Sequence, residues 1–392
     1  MNERRIFDIV IIGAGPAGYC AAIRAAQLGL STVVVEKNAA LGGTCLNVGC
    51  IPSKALLDSS ERFAMAKSGL GSHGIKVENV SFNLGLMMER KNKVVAKLTD
   101  NIEMLFRENR IHVIRGAARF TGSLLIEVVS SDGLSTVEAA RAVIIATGSA
   151  PIALPTLPFD SVVVDSTGAL ALDSVPGRLA IVGGGAIGVE LASIWARLGS
   201  QVTIIEHMSQ LLPGWDGQSA RLLGRLLAKQ GMTIIADASI TDSQTHDDSL
   251  RLMVRNQGKD QTIVADRVLV AVGRRPYLDG LQLDKINVVA DPKTGRIPVN
   301  DRFMTSRDGV YAIGDCIAGP MLAHKAFEEG VAVAELIAGK AGFVNYRTIP
   351  AVVYSSPEIA SVGATEEGLR KRGLSFTSGK IRCRCRRCRR SP

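Results

Sequence analysis

Residues 7–37 and 177–207 are two versions of one segment. The first reads FDIVIIGAGPAGYCAAIRAAQLGLSTVVVEK and the second GRLAIVGGGAIGVELASIWARLGSQVTIIEH; they align without a gap at an offset of 170. Gly13, Gly15 and Gly18 fall on Gly183, Gly185 and Gly188, Leu28-Gly29 on Leu198-Gly199, and Glu36 on Glu206. In each copy an apolar strand (Ile9–Ile12, Ala180–Val182) enters a glycine turn. An apolar-faced helix then stops at Gly29 or Gly199, and a β-branched strand (Thr32–Val35, Val202–Ile205) ends in glutamate. Such a βαβ unit requires a parallel sheet covered by helices, so the chain is expected to be α/β with two Rossmann-like domains.

The repeat also carries chemistry. The first glycine permits a tight turn, the second lets a pyrophosphate approach the backbone, and the third lets helix pack on strand. The helix N-terminus favours the phosphate charge, and the glutamate accepts hydrogen bonds from ribose hydroxyls. Two complete copies mean two nucleotide sites. At the second, Glu206 would repel a 2′-phosphate and no arginine stands beside it, so NAD is favoured over NADP. The segments 141–148, 267–273 and 309–315 are short apolar strands ending at glycine, and they read as the last strands of the two sheets.

Composition narrows the class further. At about 100–200 residues per domain, 392 residues suggest two or three domains. Hydrophobic residues at 46% exclude a disordered, collagen-like or small disulfide-framework chain. The net charge of +9 points to nucleic acid only superficially. Residues 380–392 carry seven basic residues and no acid, and without them the balance is +2. The tail's arginines have no interleaved aromatic, and Cys383, Cys385 and Cys388 offer only three metal ligands. No nucleic-acid, membrane or metal function is therefore expected. The apolar run from Leu179 to Ala196 is broken by glycines and Glu190, so it reads as strand–turn–helix rather than a membrane span. Sparse cysteine in the body and a start without a leader pattern point to a reducing, cytoplasmic setting.

Residues 42–54 read GGTCLNVGCIPSK, with four residues between Cys45 and Cys50. A disulfide there would close a very short loop and make a poor staple. Short, strained bridges are the labile or catalytic ones. A zinc site lacks a second ligand pair in the body, and two inert core thiols are the plain alternative.

This segment, with the glycine turn before it and Gly314-Asp315 after it, resembles the pyridine nucleotide–disulfide oxidoreductases. Glu206, Pro320–Ala326 and the run from Ile349 to Gly363 make it most similar to their dihydrolipoamide dehydrogenase subfamily. The mercuric and glutathione reductases share the cysteine segment. The resemblance implies a Cys45–Cys50 redox disulfide as the catalytic pair, with Cys45 exchanging with dihydrolipoamide and Cys50 facing the flavin. It implies FAD along Gly13, Gly15, Gly18, Glu36, Gly43, Thr44, Cys45, Lys54, Ala118, Asp315 and Ala323. It implies NAD along Gly183, Gly185, Gly188, Glu190, Glu206 and Gly273.

The same resemblance implies a discontinuous FAD domain (1–150 and 280–345) and an inserted NAD domain (151–279). The start of an interface domain (346–379) and the Arg/Cys tail complete the plan. The family's exchange base is a His-Pro histidine paired with glutamate and acting across a homodimer. None of His73, His112, His207, His246 and His324 precedes proline, and the pairs His73/Glu78 and His324/Glu329 match only in spacing. The sequence thus reads as C-terminally truncated with a frameshifted tail and impaired lipoamide turnover. The alternatives are another flavin disulfide reductase and a non-catalytic nucleotide-binding remnant. Partnership with the lipoyl domain of 2-oxo acid dehydrogenase complexes is implied by resemblance alone.

Overall fold

A computed structural model describes residues 5–131, 133–246 and 249–381. The tail cysteines Cys383, Cys385 and Cys388 and the tail arginines lie outside the described residues.

The chain opens with β1 (Arg5–Ile12), α1 (Pro16–Gln27) and β2 (Thr32–Glu36). Residues Ile9 to Ile11 and Val33 to Val35 are buried, as strands of a sheet covered on both faces must be. Proline opens α1, where its missing N–H costs nothing, and Gly29 at φ +82° releases the chain after it. Two helices follow, α2 (Gly43–Val48) and α3 (Cys50–Ala64), then the long α4 (Leu84–Glu108). β3 (His112–Arg115), β4 (Ala117–Gly122), β5 (Leu125–Ser130) and β6 (Gly133–Ile145) complete the sheet in the order β3-β2-β1-β6-β5-β4.

β7 (Ser149–Pro151) leads across to a second unit of β8 (Val163–Val164), α5 (Ser166–Ala169), β9 (Arg178–Val182), α6 (Ala186–Arg197) and β10 (Gln201–Ile205). It continues as α7 (Gly217–Lys229), β11 (Thr233–Ile235), an antiparallel meander of β12 (Ala238–His246), β13 (Ser249–Asn256) and β14 (Lys259–Ala265), and β15 (Arg267–Val270). The second sheet is parallel throughout, in the order β11-β10-β9-β15-β8. β16 (Arg274–Pro276) pairs antiparallel with β7, so the outgoing and returning crossings lie side by side.

β17 (Val310–Ala312) returns to the first sheet and pairs with β6. α8 (Ala323–Ile337) packs on α1 at very short range: a Cβ on Gly330 would stand 2.5 Å from the Ala17 carbonyl oxygen. Arg24 and Glu335 clip the two helices together. A hairpin of β18 (Pro350–Val353) and β19 (Ile359–Val362) follows, with Val353 fully buried in the core beneath α6.

The repeat is reproduced bond for bond. The Gly13 and Gly183 amides donate to the Val35 and Ile205 carbonyls at 2.8 Å, and Ala146 and Ala271 donate to Ile12 and Val182. In chain order β15 and β17 are the last strands of their sheets, as the sequence suggests; in space β6 and β15 each lie beside the first strand, in the interior. In a doubly wound sheet the chain returns to the other flank of its first strand, and apolar runs belong at that doubly covered position. The edge beyond each is taken by a strand from elsewhere, β17 in one case and β8 in the other.

Candidate active site

The two glycine turns show what each glycine does. Gly13 and Gly183 have φ of +101° and +107°, and a Cβ on either would stand within about 2.5 Å of a carbonyl oxygen, that of Ala146 or Ala271. On Gly18 and Gly188 a Cβ would collide with the carbonyl of the first glycine at 1.8 and 2.0 Å. The middle glycines differ. A Cβ on Gly15 would meet only Gly43 Cα, at 3.8 Å, and one on Gly185 nothing within 4 Å. Folding thus requires the outer two glycines, whereas the middle one leaves open backbone where a pyrophosphate can approach. That cradle is what a dinucleotide needs, so both turns fit the cofactors expected of them.

The glutamates close each turn. Glu36 is buried and accepts from the Ala14 amide at 2.8 Å and from Asn38 N and Nδ2. Glu206 accepts from the Gly184 and Met208 amides at 2.6 and 2.7 Å. Gly116 donates to the Glu36 carbonyl, which brings the start of β4, with Ala118, to the end of β2. Gly273 follows β15 just past Ala271, beside the second turn.

The cysteine segment packs onto the first turn. Gly42 N donates to Ala14 O at 2.9 Å, and a Cβ on Gly43 would meet Gly15 Cα at 2.5 Å. Thr44 is exposed beside them. Gly49 breaks the helix between the cysteines, its own Cβ position lying 2.8 Å from Thr44 O. Cys45 therefore sits in α2, half-buried, and Cys50 opens α3, exposed.

Both are free thiols, so the structure shows the reduced pair. They are hydrogen-bonded to each other, and this contact divides their acidities. The bond from Cys45, helped by the Lys54 ammonium one helical turn on, lowers Cys50 to about 7 against desolvation and the Glu190 charge. The same bond, with desolvation, pushes the Cys45 thiol far up. Cys50 is thus the thiolate of the pair.

Lys54 is held by Glu190 of α6, with Nζ at 2.9 and 2.7 Å from the two carboxylate oxygens. This ion pair joins the cysteine helix to the second nucleotide unit across 136 residues of sequence. Glu190 also accepts from the Tyr354 amide at 3.1 Å, and Lys54 Nζ lies 4.6 Å from the Tyr354 ring centre.

Two further clusters carry little signal in local sequence beyond Gly314-Asp315 itself. Asp315 Oδ2 accepts from Ser149 Oγ at 2.5 Å, and the Arg274 guanidinium donates to Ser149 Oγ and O at 2.7 Å. Arg274 is held below its ordinary range by desolvation, offset by Asp315, Asp165 and Cys50. Behind this loop, the fully buried Lys325 and Glu329 of α8 grip Gly314: Lys325 donates to its carbonyl at 3.0 Å and Glu329 accepts from its amide at 2.7 Å. Tyr346 donates to the same carboxylate at 2.7 Å. The spacing of Lys325 and Glu329 in an apolar helix is the one cue that sequence offered. Ala323 begins that helix.

Neither histidine pair forms a dyad. Glu78 is paired with Lys76, Glu329 is engaged by Lys325 and Tyr346, and His324 Nε2 meets Pro350 O at 2.6 Å.

Two nucleotide cradles flanking a dithiol define a redox protein that moves an electron pair between sulfur and a pyridine nucleotide. The comparisons agree. The profile of the family described as pyridine nucleotide-disulphide oxidoreductase matches residues 7–330. The chain is 49% identical over 377 residues to the mitochondrial dihydrolipoyl dehydrogenase of Pisum sativum, covering 95% of this chain and 75% of that one. It is 47% identical to dihydrolipoyl dehydrogenase 3 of Pseudomonas putida, covering 96% and 81%. Its fold is similar to the Cu(II) complex of the HOCl-induced flavoprotein disulfide reductase RclA from Escherichia coli. The TM-score is 0.82 at 29% identity, covering 95% of this chain and 80% of that one.

The chain belongs to the pyridine nucleotide–disulphide oxidoreductase family. It is of the dihydrolipoyl dehydrogenase type, an oxidoreductase acting on a sulfur group with FAD and NAD as cofactors.

Proposed function

We propose that this chain oxidises dihydrolipoamide with NAD through a Cys45–Cys50 disulfide and FAD. The observation that carries the reading is the Cys45–Cys50 segment seated on the first glycine turn, with Lys54 of the same helix held by Glu190 of the second unit. In thiol–disulfide exchange the thiolate of lower pKa leaves faster, so a substrate thiolate attacks Cys45 and Cys50 departs. The Cys45–Cys50 bond breaks and a bond from the substrate sulfur to Cys45 forms. The second substrate thiol then displaces Cys45, releasing the cyclic disulfide. Two electrons and two protons remain on the cysteines.

Lys54 stabilises the departing charge on Cys50, and Glu190 keeps Lys54 in place. Flavin held in the first cradle would supply the two-electron redox chemistry that links the thiols to a pyridine nucleotide in the second. On the protein side, Gly13, Gly15, Gly18, Glu36, Gly43, Thr44, Cys45, Lys54, Ala118, Asp315 and Ala323 would hold FAD. Gly183, Gly185, Gly188, Glu190, Glu206 and Gly273 would hold NAD. The division into an FAD domain (1–150, 280–345), an inserted NAD domain (151–279) and an interface segment (346–379) belongs to the same reading. So do a homodimer, service to the lipoyl domain of a 2-oxo acid dehydrogenase complex, and a cytoplasmic location. Among the described residues no helix is long and apolar enough to cross a membrane.

Exchange also needs a proton acceptor. Among the described residues, the titratable groups acting on the two thiols are Lys54, Glu190, Arg274, Tyr19 and the thiols themselves, with no imidazole. A general base positioned for this exchange typically contributes 10²–10⁴-fold. A panel of dihydrolipoamide, reduced glutathione and mercuric ion, each with NAD(H) and NADP(H), tests the assignment. Preference for dihydrolipoamide and NAD supports it. Preference for either other substrate, or for NADP, would overturn it.

A further inference from the structure

Tyr354 lies in the run 349–363 and carries no role in the reading above, yet it touches both members of the ion pair beside the thiols. Its backbone N–H donates to Glu190 Oε1 at 3.1 Å, and its ring centre lies 4.6 Å from Lys54 Nζ. The segment around it is fixed independently of the ring. Val353 is fully buried, Ser355 Oγ donates to Pro357 O, and His324 meets Pro350 O. Tyr354 itself remains 43% exposed, so it contributes little to the core. A side chain that packs little while covering an ammonium acts mainly on that ammonium.

We propose that Tyr354 is a positioning residue of the thiol centre, its ring confining the Lys54 ammonium and its amide fixing the Glu190 carboxylate so that Lys54 stays directed at Cys50. Glu190 holds Lys54 from one side, and the Lys54 side chain is 33% exposed, so the Tyr354 ring adds a second restraint on the ammonium. Covering the ammonium also limits its hydration, which strengthens its field at the sulfur. The hydrogen-bond and ring contacts come from the residue immediately after β18, so the C-terminal hairpin becomes part of the redox site rather than a mere linker. This inference rests on Cys50 being the thiolate.

The groups facing Cys50 are Cys45 from α2, Lys54 from its own helix, Glu190 from α6, Arg274 from β16 and Tyr19 from α1. Of these, Lys54 and Glu190 are the ones Tyr354 touches, so its removal should act through them. The test isolates Cys50 in a Cys45→Ser background, where a hydroxyl still donates to the sulfur. Ultraviolet thiolate absorbance is titrated against the matched Cys45→Ser/Cys50→Ser protein, with Tyr354 intact, as Tyr354→Phe and as Tyr354→Leu. Melting temperatures confirm that all fold.

A cation–π contact at a partly exposed site corresponds to roughly two- to fivefold in an equilibrium. Tyr354→Leu is therefore expected to lower the thiolate-to-thiol ratio at neutral pH by about two- to fivefold. Tyr354→Phe, which keeps ring and amide, should titrate like the intact protein. Equal titration of the Leu and intact proteins overturns the proposal, as does a Phe shift as large as the Leu shift. An ordinary thiol titration with Tyr354 intact overturns the functional reading itself, and this inference with it.

Discussion

The two glycine turns share a backbone but not a task. Hydrogen bonds recur at the offset of 170, down to Gly42 donating to Ala14 O and Leu212 donating to Gly184 O. Beyond these anchors the two halves diverge. After Gly42 come Gly43, which closes on Gly15, and a helix pair broken at Gly49 to present Cys45 and Cys50. After Leu212 comes Pro213, with no thiol, and Gly185 remains open. A duplicated scaffold supplies two nucleotide cradles, and a short segment on one of them supplies the chemistry. Lys54 and Glu190 then join the reactive segment of one half to the helix of the other.

The sharpest break in this comparison is chemical. Cys50→Ser should reduce dithiol oxidation by roughly 10³-fold or more, because the leaving thiolate is gone. Flavin reduction by NADH, which needs only the two cradles, should persist. Steady-state turnover beside anaerobic flavin absorbance separates the two effects.

The glycines come next. Gly18→Ala and Gly188→Ala place a methyl at 1.8 and 2.0 Å from a carbonyl oxygen, so each should destabilise its unit by several kcal/mol, about 3 or more. Gly185→Ala meets nothing and should leave the melting temperature nearly unchanged, yet weaken NADH binding by about tenfold. Calorimetric melting and NADH titration of both would show whether structure and binding separate as the two positions do.

The acidity of Cys50 gives a pH signature. Its value lies below that of an ordinary thiol, so the thiolate is fully present above the ordinary thiol range and is lost as pH falls through about 7. Electron transfer from the reduced pair should decline below that point. Lys54→Met should move the decline toward higher pH, because the ammonium that lowers Cys50 is removed. Stopped-flow rates across the range would reveal it.

The smallest expected change is at Ser149. Ser149→Ala removes the hydroxyl that donates to Asp315 and receives Arg274, and should weaken flavin retention by only a few-fold, about 1 kcal/mol. Flavin fluorescence after dilution measures it.

The scaffold was legible in the sequence because its signals are local: strand, glycine, helix and acid at fixed spacing. The interior placement of β6 and β15 was not, since a short apolar run looks alike at the centre and at the end of a parallel sheet. Lys54 and Glu190 were named through resemblance, whereas their ion pair appears only in three dimensions. Glu190 nonetheless stood out as a charge inside an apolar run. Arg274, Ser149 and Tyr354 gave no warning, because each acts on a partner more than a hundred residues away.

The central claim is one electron path from the thiols through the first cradle to the second. Anaerobic titration with NADH, followed in the flavin absorbance, tests it most directly. Bleaching of the flavin with appearance of two titratable thiols, and loss of only the thiol step in Cys50→Ser, is the expected result. A bound flavin that NADH leaves oxidised would contradict the path.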